Sequence, residues 1–509
     1  MPLNCGGTVD NNSNLKFAIL VIAAKALVVL AISTLDLESS LVLGLLVELL
    51  FEHSEGFFLL LVILCFFDTS CSKMAGAQGF VQVATGHMVA RPLPEAEEAT
   101  GEDSAEGKDA SDEVDIPPEV LELFGTLRGE AIRRLKDFQP IHLFSLCWAY
   151  STARLLDDDM RLQVTRAALH LGRTRDEENS QEAAREQERP EPGEMKTGLE
   201  SPYVVQESDH WMALFKPAHW QVSVDAKEAT KMASATLFED DEEGDEEVVE
   251  RPRVQAWIHK NMSQRYPICT DPAEAYGLLH RLDAQTSGVL VCAKSYVGAY
   301  WLRLQWCQYS VDKEYVCVVH GWVDHAMREI HKRIRVEKRK APNSRRTIST
   351  HCTVGSNGKP SFTELVTLAH LERPGAPEER YSLVALKLHT GRTHQIRVHM
   401  QSIGHPLITD AKYAEDRLND DKQWCPRNFL HTYRLAFRDV PNEQDLEASG
   451  YGPVRELVTP LPVDLRETLA LLKPVAASSQ QHYEDWLSGE ATRLRAFERL
   501  EPAEPAESQ

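Results

Sequence analysis

His280-Arg281-Leu282-Asp283-Ala284-Gln285-Thr286-Ser287-Gly288 runs straight into Val289-Leu290-Val291-Cys292 and then Ala293-Lys294. Four apolar residues in a row, bounded by a glycine and a lysine, predict a short buried strand. The two charges ahead of it, Arg281 and Asp283, are therefore anchored to the core rather than drifting in solvent, as a functional carboxylate requires. Thr286, Ser287 and Gly288 are small enough for backbone or substrate to approach closely. An isolated R-x-D is most often a surface turn with a local ion pair. Here the pair is set hard against a strand.

Further along, Lys313-Glu314-Tyr315 leads into a second apolar run, 315–319, and Gly321. Then comes Thr390-Gly391-Arg392-Thr393-His394-Gln395-Ile396-Arg397-Val398-His399-Met400. The alternating strand 383–388 ends at its glycine, and Thr393 is expected to cap a helix over 393–403. Ile396, Met400 and Ile403 recur at i, i+4 and i+7 as a buried stripe, and Gly404 stops the helix. Arg397 and Gln401 lie one turn apart off that stripe. An arginine fixed on a helix is a good partner for a carboxylate that must stay ionised away from water. On spacing alone, His394 and His399 read as capping or packing residues. Runs 211–215 and 362–368 add strands and 299–309 adds a helix, so the region reads as α+β.

The stretch HRLDAQTSG resembles the signature of the RluA-type pseudouridine synthases, with seven fixed residues matched in nine positions. Lys313-Glu314-Tyr315 is similar to the family's K-x-Y segment, and Thr390 to His399 to its T-G-R-T-H-Q-I-R-V-H segment, with Gly404-His405-Pro406 and Asp410 to Tyr413 following. Weaker echoes flank these at Lys216-Pro217-Ala218, Phe429-Leu430-His431 and Thr459-Pro460-Leu461-Pro462, so the resemblance covers roughly 203–472. It implies an α+β fold, the pseudouridine synthase catalytic fold with a central mixed, mainly antiparallel sheet, preceded by a small α-helical segment. It also implies isomerisation of uridine in RNA: the N1–C1′ bond breaks, the base turns, and C5 attaches in its place. Asp283 becomes the catalytic carboxylate, as nucleophile or as the group handling the sugar intermediate. Tyr315 becomes the ring beside the uracil and a C5 proton acceptor, and Arg397 the ion-pair partner of Asp283. Arg281 would fill the gap left by a flipped nucleotide. His280, Thr286, Arg392, Thr393 and His394 complete the substrate-binding set, with no metal and no cofactor. Two positions depart from the family pattern: His219 stands where a glycine usually follows Lys216-Pro217-Ala218, and Thr409 stands where glycine usually precedes Asp410. The alternative is an inactive RNA-binding or RNA-chaperone protein on the same fold.

Net charge argues the other way at first. Asp+Glu number 77 against 55 Lys+Arg, a balance of −22 that should repel a polyanion. Two tracts, 95–115 and 239–250, carry −18 of it, and the second is inserted in the catalytic region. By contrast 324–346 holds nine Lys/Arg against three Asp/Glu. That stretch, with Lys332, Arg333 and Arg335, is expected to meet RNA phosphates, and 239–250 to compete with RNA for it.

The boundaries expected from composition are an apolar extension over 1–73, an acidic linker 74–117, a helical segment 118–173 and a charged linker 174–201. A synthase domain 202–473 and a polar tail 474–509, with one helix over 483–500, complete the layout. Residues 17–35 alone approach the length of a membrane span, and Lys25 near the centre opposes insertion. The extension reads as a signal anchor, the front of an organelle-targeting presequence, or a weakly constrained leader with Met74 as the true start. A mitochondrial or plastid location goes with targeting, and cytoplasm or nucleus with its absence; a membrane enters only if the apolar segment is retained. Leu143, Leu146, Cys147 and Tyr150 share one helical stripe in a stretch similar to a single octotricopeptide-like unit, with the next helix ending near Gly172. Ten cysteines without a C-x-x-C pair read as buried small hydrophobes in a reducing compartment. The expected partner is RNA, ribosomal, transfer or messenger, bound by a monomer.

Overall fold

The computed structural model describes residues 124–125, 128–129, 131–183, 200–222, 252–340 and 347–497. The apolar extension, the acidic linker, the acidic insert 239–250 and the segment 498–509 lie outside the described residues. The chain divides into two compact units, one up to Val164 and one from Thr165.

In the first unit, helix α1 (Pro140–Thr152) carries proline in its first turn, where the missing N–H costs nothing. Its expected stripe, Leu143, Leu146, Cys147 and Tyr150, is buried, and the Tyr150 hydroxyl donates to the Phe124 carbonyl at 2.8 Å. Asp157 accepts from the Met160 amide at 2.7 Å and starts helix α2 (Asp158–Ala183), whose residues from Thr165 on belong to the second unit. Gly172 does not end this helix. A Cβ there would meet Val297 Cα at 2.6 Å, so the glycine serves close packing rather than a stop. The helix continues to Ala183, beyond the boundary expected at 173, because Asp176 finds a structural use. Its carboxylate accepts from the Tyr296 and Val297 amides at 2.8 and 3.2 Å, at the positive end of helix α4 (Tyr296–Cys307).

The second unit is built on a ten-stranded mixed sheet. Its strands are β1 (Tyr203–Glu207), β2 (Trp211–Lys216), β3 (Ser287–Ala293), β4 (Asp312–His320), β5 (Glu329–Ile330), β8 (Thr363–Arg373), β9 (Ala376–Leu388), β10 (Leu430–Arg438), β11 (Val454–Val458) and β12 (Lys473–Pro474). The path is β1-β2-β3-β10-β4-β9-β8-β12, with β11 on β10 and β5 on β8; β3 and β10 are parallel and the other pairs antiparallel. This is the expected α+β class. A separate hairpin, β6 (Ile334–Lys340) with β7 (Thr347–Val354), carries the basic stretch.

Helix α3 (Val254–Met262) precedes the stretch 280–288, and helix α5 (Gln395–Ser402) packs on β7 and β8. Helices α6 (Val463–Ala470) and α7 (Ala477–Ser488) pack on the sheet through Leu465, Leu469, Tyr483 and Trp486. The expected domain end at 473 therefore falls inside a continuous core. The tail's polar composition hid the large apolar residues at positions 483 and 486, and the Trp486 ring meets Tyr433 edge-on at 4.9 Å. Its helix also starts earlier than the expected 483–500.

Candidate active site

The loop before β3 is held from three sides. Lys216, at the end of β2, is fully buried, and its ammonium donates to the carbonyls of Pro217, Ala284 and Thr286 at 3.0, 3.1 and 2.7 Å. A buried cation is tolerable only when its donors are satisfied in this way. Arg427 Nη1 donates to the Gln285 carbonyl at 3.0 Å and Nη2 to Ser287 Oγ at 2.9 Å, while Asp464 holds its Nε at 2.6 Å. The His219 amide donates to the Ala284 carbonyl at 2.7 Å. Gly288 admits the closest approach. With φ at 130°, it lies opposite Thr432 of β10, and a Cβ would sit 2.2 Å from the Thr432 carbonyl oxygen.

Asp283 lies on this clamped loop with its side chain 17% exposed. Arg397 Nη1 reaches its Oδ2 at 3.3 Å. The tighter partner of Arg397 is Asp410, through Nε and Nη2 at 2.8 Å each. Asp410 also accepts from the Lys412 and Tyr413 amides at 3.0 and 3.1 Å and from Asn428 at 3.3 Å. It is fully buried, so of the two carboxylates on Arg397 only Asp283 can be reached by a solute. Burial opposes ionisation of Asp283, but the positive charges around it, that of His394 when protonated and those of Arg397 and Arg281, outweigh it and hold the carboxyl low, at about 2. Burial and Arg397 push His394 down to about 3, so its ring is neutral at physiological pH. The cations that keep Asp283 charged are therefore the two arginines.

Tyr315 of β4 is buried, and burial together with the Asp283 charge raises its phenol to about 12. Lys313 stands two residues earlier on the strand, where burial and the neighbouring Arg392 lower it to about 8. The Tyr413 ring lies under the Arg397 guanidinium at 5.1 Å. Its hydroxyl accepts from the Cys352 amide at 3.0 Å and shares a hydrogen bond of 2.9 Å with His394 Nδ1.

The other expected residues divide into two groups. His280 is turned into the core: its ring stacks on Trp306 at 5.1 Å and its Nε2 accepts from the Val291 amide at 3.0 Å. Burial takes it down to about 3, so it supports β3 rather than lining an open surface. Thr286 is also buried, its amide donating to the Asp283 carbonyl at 3.1 Å to close the turn. Thr393 is not the helix cap; α5 is capped at His394, whose φ of 51° is left-handed. His399 bonds Thr363 Oγ1 and the Lys332 carbonyl, a packing role. Arg281 is half-buried beside Asp283. Arg392 donates to the Pro360 carbonyl at 3.2 Å, Arg333 to the Gly358 carbonyl at 2.8 Å, and Lys332 to the Ser402 carbonyl at 2.8 Å. Arg335 is exposed and paired with Glu337. Sequence reading quoted Lys216 and Asp410 without giving them a role and passed over Arg427 altogether. Nothing local marks an arginine whose partners are 140 residues away.

Residues 210–402 match the model of a family described as RNA pseudouridylate synthase. The mouse RNA pseudouridylate synthase domain-containing protein 1 is 31% identical over 251 residues, covering 48% of this chain and 69% of that protein. Its human counterpart is 34% identical over 185 residues, covering 35% of this chain and 56% of that protein. Ribosomal large subunit pseudouridine synthase C of Vibrio parahaemolyticus is 30% identical, covering 37% of this chain and 55% of that protein. The chain thus spans between about half and two thirds of the length of these relatives. A solved structure of the human protein aligns with 58% of this chain and 98% of that chain at 24% identity and a TM-score of 0.36. With the matched segment bracketing Asp283, Tyr315 and Arg397, the chain belongs to the RNA pseudouridylate synthase family, in its RluA-type branch.

Proposed function

We propose that this protein converts uridine to pseudouridine in RNA with Asp283 as its catalytic carboxylate. The observation that carries the reading is the line Asp410–Arg397–Asp283, a buried ion pair whose guanidinium also holds one solvent-reachable carboxylate through Nη1. A group that attacks C1′ or balances a developing oxocarbenium must be anionic when substrate arrives. The low Asp283 pKa meets that need. Tyr315 supplies an apolar ring face for the uracil. Its raised phenol is neutral at physiological pH, which favours stacking over proton removal from C5. Arg281 fills the space of the flipped nucleotide. The reaction transfers no electrons: C5 forms the new glycosidic bond, loses its proton, and N1 regains one.

Lys332, Arg333 and Arg335 near the basic hairpin, with Arg392, meet the RNA backbone. All the groups named come from one chain, and a monomer suffices. The layout of a helical segment, a synthase domain and outer acidic and apolar stretches is proposed with it. The test is release of tritium from C5-labelled uridine in RNA incubated with the full chain. Release with stoichiometric pseudouridine is expected. Saturable RNA binding without release would favour the inactive RNA-binding reading instead.

A further inference from the structure

Three aromatic rings lie in file next to the start of helix α5, which carries Arg397. The His331 ring stacks on Phe362 at 4.1 Å and 24°, and Phe362 stacks on His389 at 4.1 Å and 9°. The outer rings are each held by a carboxylate, His331 Nε2 with Glu329 at 2.8 Å and His389 Nε2 with Glu364 at 2.9 Å. Yet they remain open to solvent, with 29% and 36% of their side chains exposed.

The file is rigidly tied to the helix that carries Arg397. The Phe362 carbonyl accepts from Gln395 Nε2 at 2.9 Å, and its amide donates to Thr390 Oγ1 at 2.9 Å. Beside it, Arg392 and Arg333 rest on the carbonyls of Pro360 and Gly358. Burial and then the charge of Arg392 lower Arg333, so the two guanidiniums are close enough to repel. Among the described residues neither forms an ion pair. Two adjacent cations without a carboxylate attract an anion, and a phosphate is the anion that arrives together with a stackable ring.

We propose that the His331–Phe362–His389 file is a base-stacking platform for an unpaired nucleotide flanking the target uridine, its phosphate held by Arg333 and Arg392. The proposal rests on the RNA reading above and extends it to how the strand is gripped outside the catalytic pocket. Stacking tolerates any base because every base has a π-face. The platform therefore favours single-stranded flanks over a duplex, whose bases are already stacked.

The test is equilibrium binding of a short fluorescein-labelled oligouridylate to the full chain at several salt concentrations. The double variant His331→Ala/His389→Ala should bind about tenfold more weakly at every salt, since stacking on aromatic side chains contributes roughly that much per base. Its slope of log affinity against log salt should match the wild type, because no cation is removed. The double variant His331→Phe/His389→Phe keeps the rings and should bind like the wild type. In turnover, the alanine pair should raise KM more than it lowers kcat. Alanine variants that bind within twofold of the wild type overturn the platform. So does a phenylalanine pair that loses as much as the alanine pair, which marks the histidines as structural. If the wild type releases no tritium, the catalytic reading fails, while the binding series still decides the platform.

Discussion

At the scale of single residues, chemistry depends on how charge is shared along Asp410, Arg397 and Asp283. Asp410 takes the two closest donors of the guanidinium, at 2.8 Å each, and Asp283 receives the longer bond at 3.3 Å. In the proposed reaction that inequality separates holding from reacting: Asp410 fixes the arginine, and Asp283 keeps the freedom to meet substrate. A carboxyl whose folded pKa lies below its unfolded value contributes stability above the unfolded value, near 3.9, and loses it as pH falls through the folded one. For Asp283 that window lies between about 4 and about 2, so activity should show no acid limb from this group above pH 4. Replacing Arg397 by methionine removes a cation while leaving Asp283 desolvated, which moves the carboxyl upward. The pH–kcat profile of Arg397→Met should therefore show an acid limb at least about one pH unit above the wild type. A profile of unchanged shape would detach Arg397 from the charge of Asp283. The family resemblance implied Arg397 and Asp283 as partners. The stronger claim of Asp410 was not legible, because motif spacing records which residues meet but not how they divide a guanidinium fork.

At the scale of elements, the start of β3 lies against β10 through a short parallel pairing. Gly288 makes the parallel pairing possible, since any Cβ there would collide with the Thr432 backbone. Gly288→Ala should cost at least about 3 kcal/mol, read as a lower denaturant midpoint, with activity lost in proportion to the unfolded fraction. Normal stability in that variant would mean β3 and β10 are spaced more widely than described. Strands β3, β4, β8 and β9 and helices α4 and α5 were legible in the sequence because each has a clean apolar period between turn residues. The helix starts were less so. His394 caps α5 in a left-handed conformation that nothing in the sequence around Thr393 signals. His219 and Thr409 stand where the family favours glycine, and both keep positive φ, at 69° and 57°. Each holds a left-handed backbone that a glycine would adopt at lower cost. Helix α7 was misjudged because Tyr483 and Trp486 stand among polar residues, and only tertiary packing reveals which face is buried.

At the scale of the whole molecule, the formal charge of −22 misleads about the partner. Most of it belongs to 95–115 and 239–250, whereas the edge beside the candidate site carries Lys332, Arg333, Arg335 and Arg392. RNA affinity should fall as salt rises, and Lys332→Gln with Arg333→Gln should flatten the slope by about two phosphate contacts. A slope equal to the wild type would move the backbone contacts elsewhere. Net charge and its division along the chain could be read from the sequence at once, but which basic residues gather around helix α5 only from the fold. The account as a whole turns on one carboxylate, and one measurement reads it most directly. Full-length wild type and Asp283→Asn are compared for tritium release from C5-labelled uridine RNA, with RNA affinity and unfolding midpoint measured on the same samples. The account predicts that the asparagine variant folds, binds RNA within a few-fold of the wild type, and releases no tritium above background; release at the wild-type rate would contradict it.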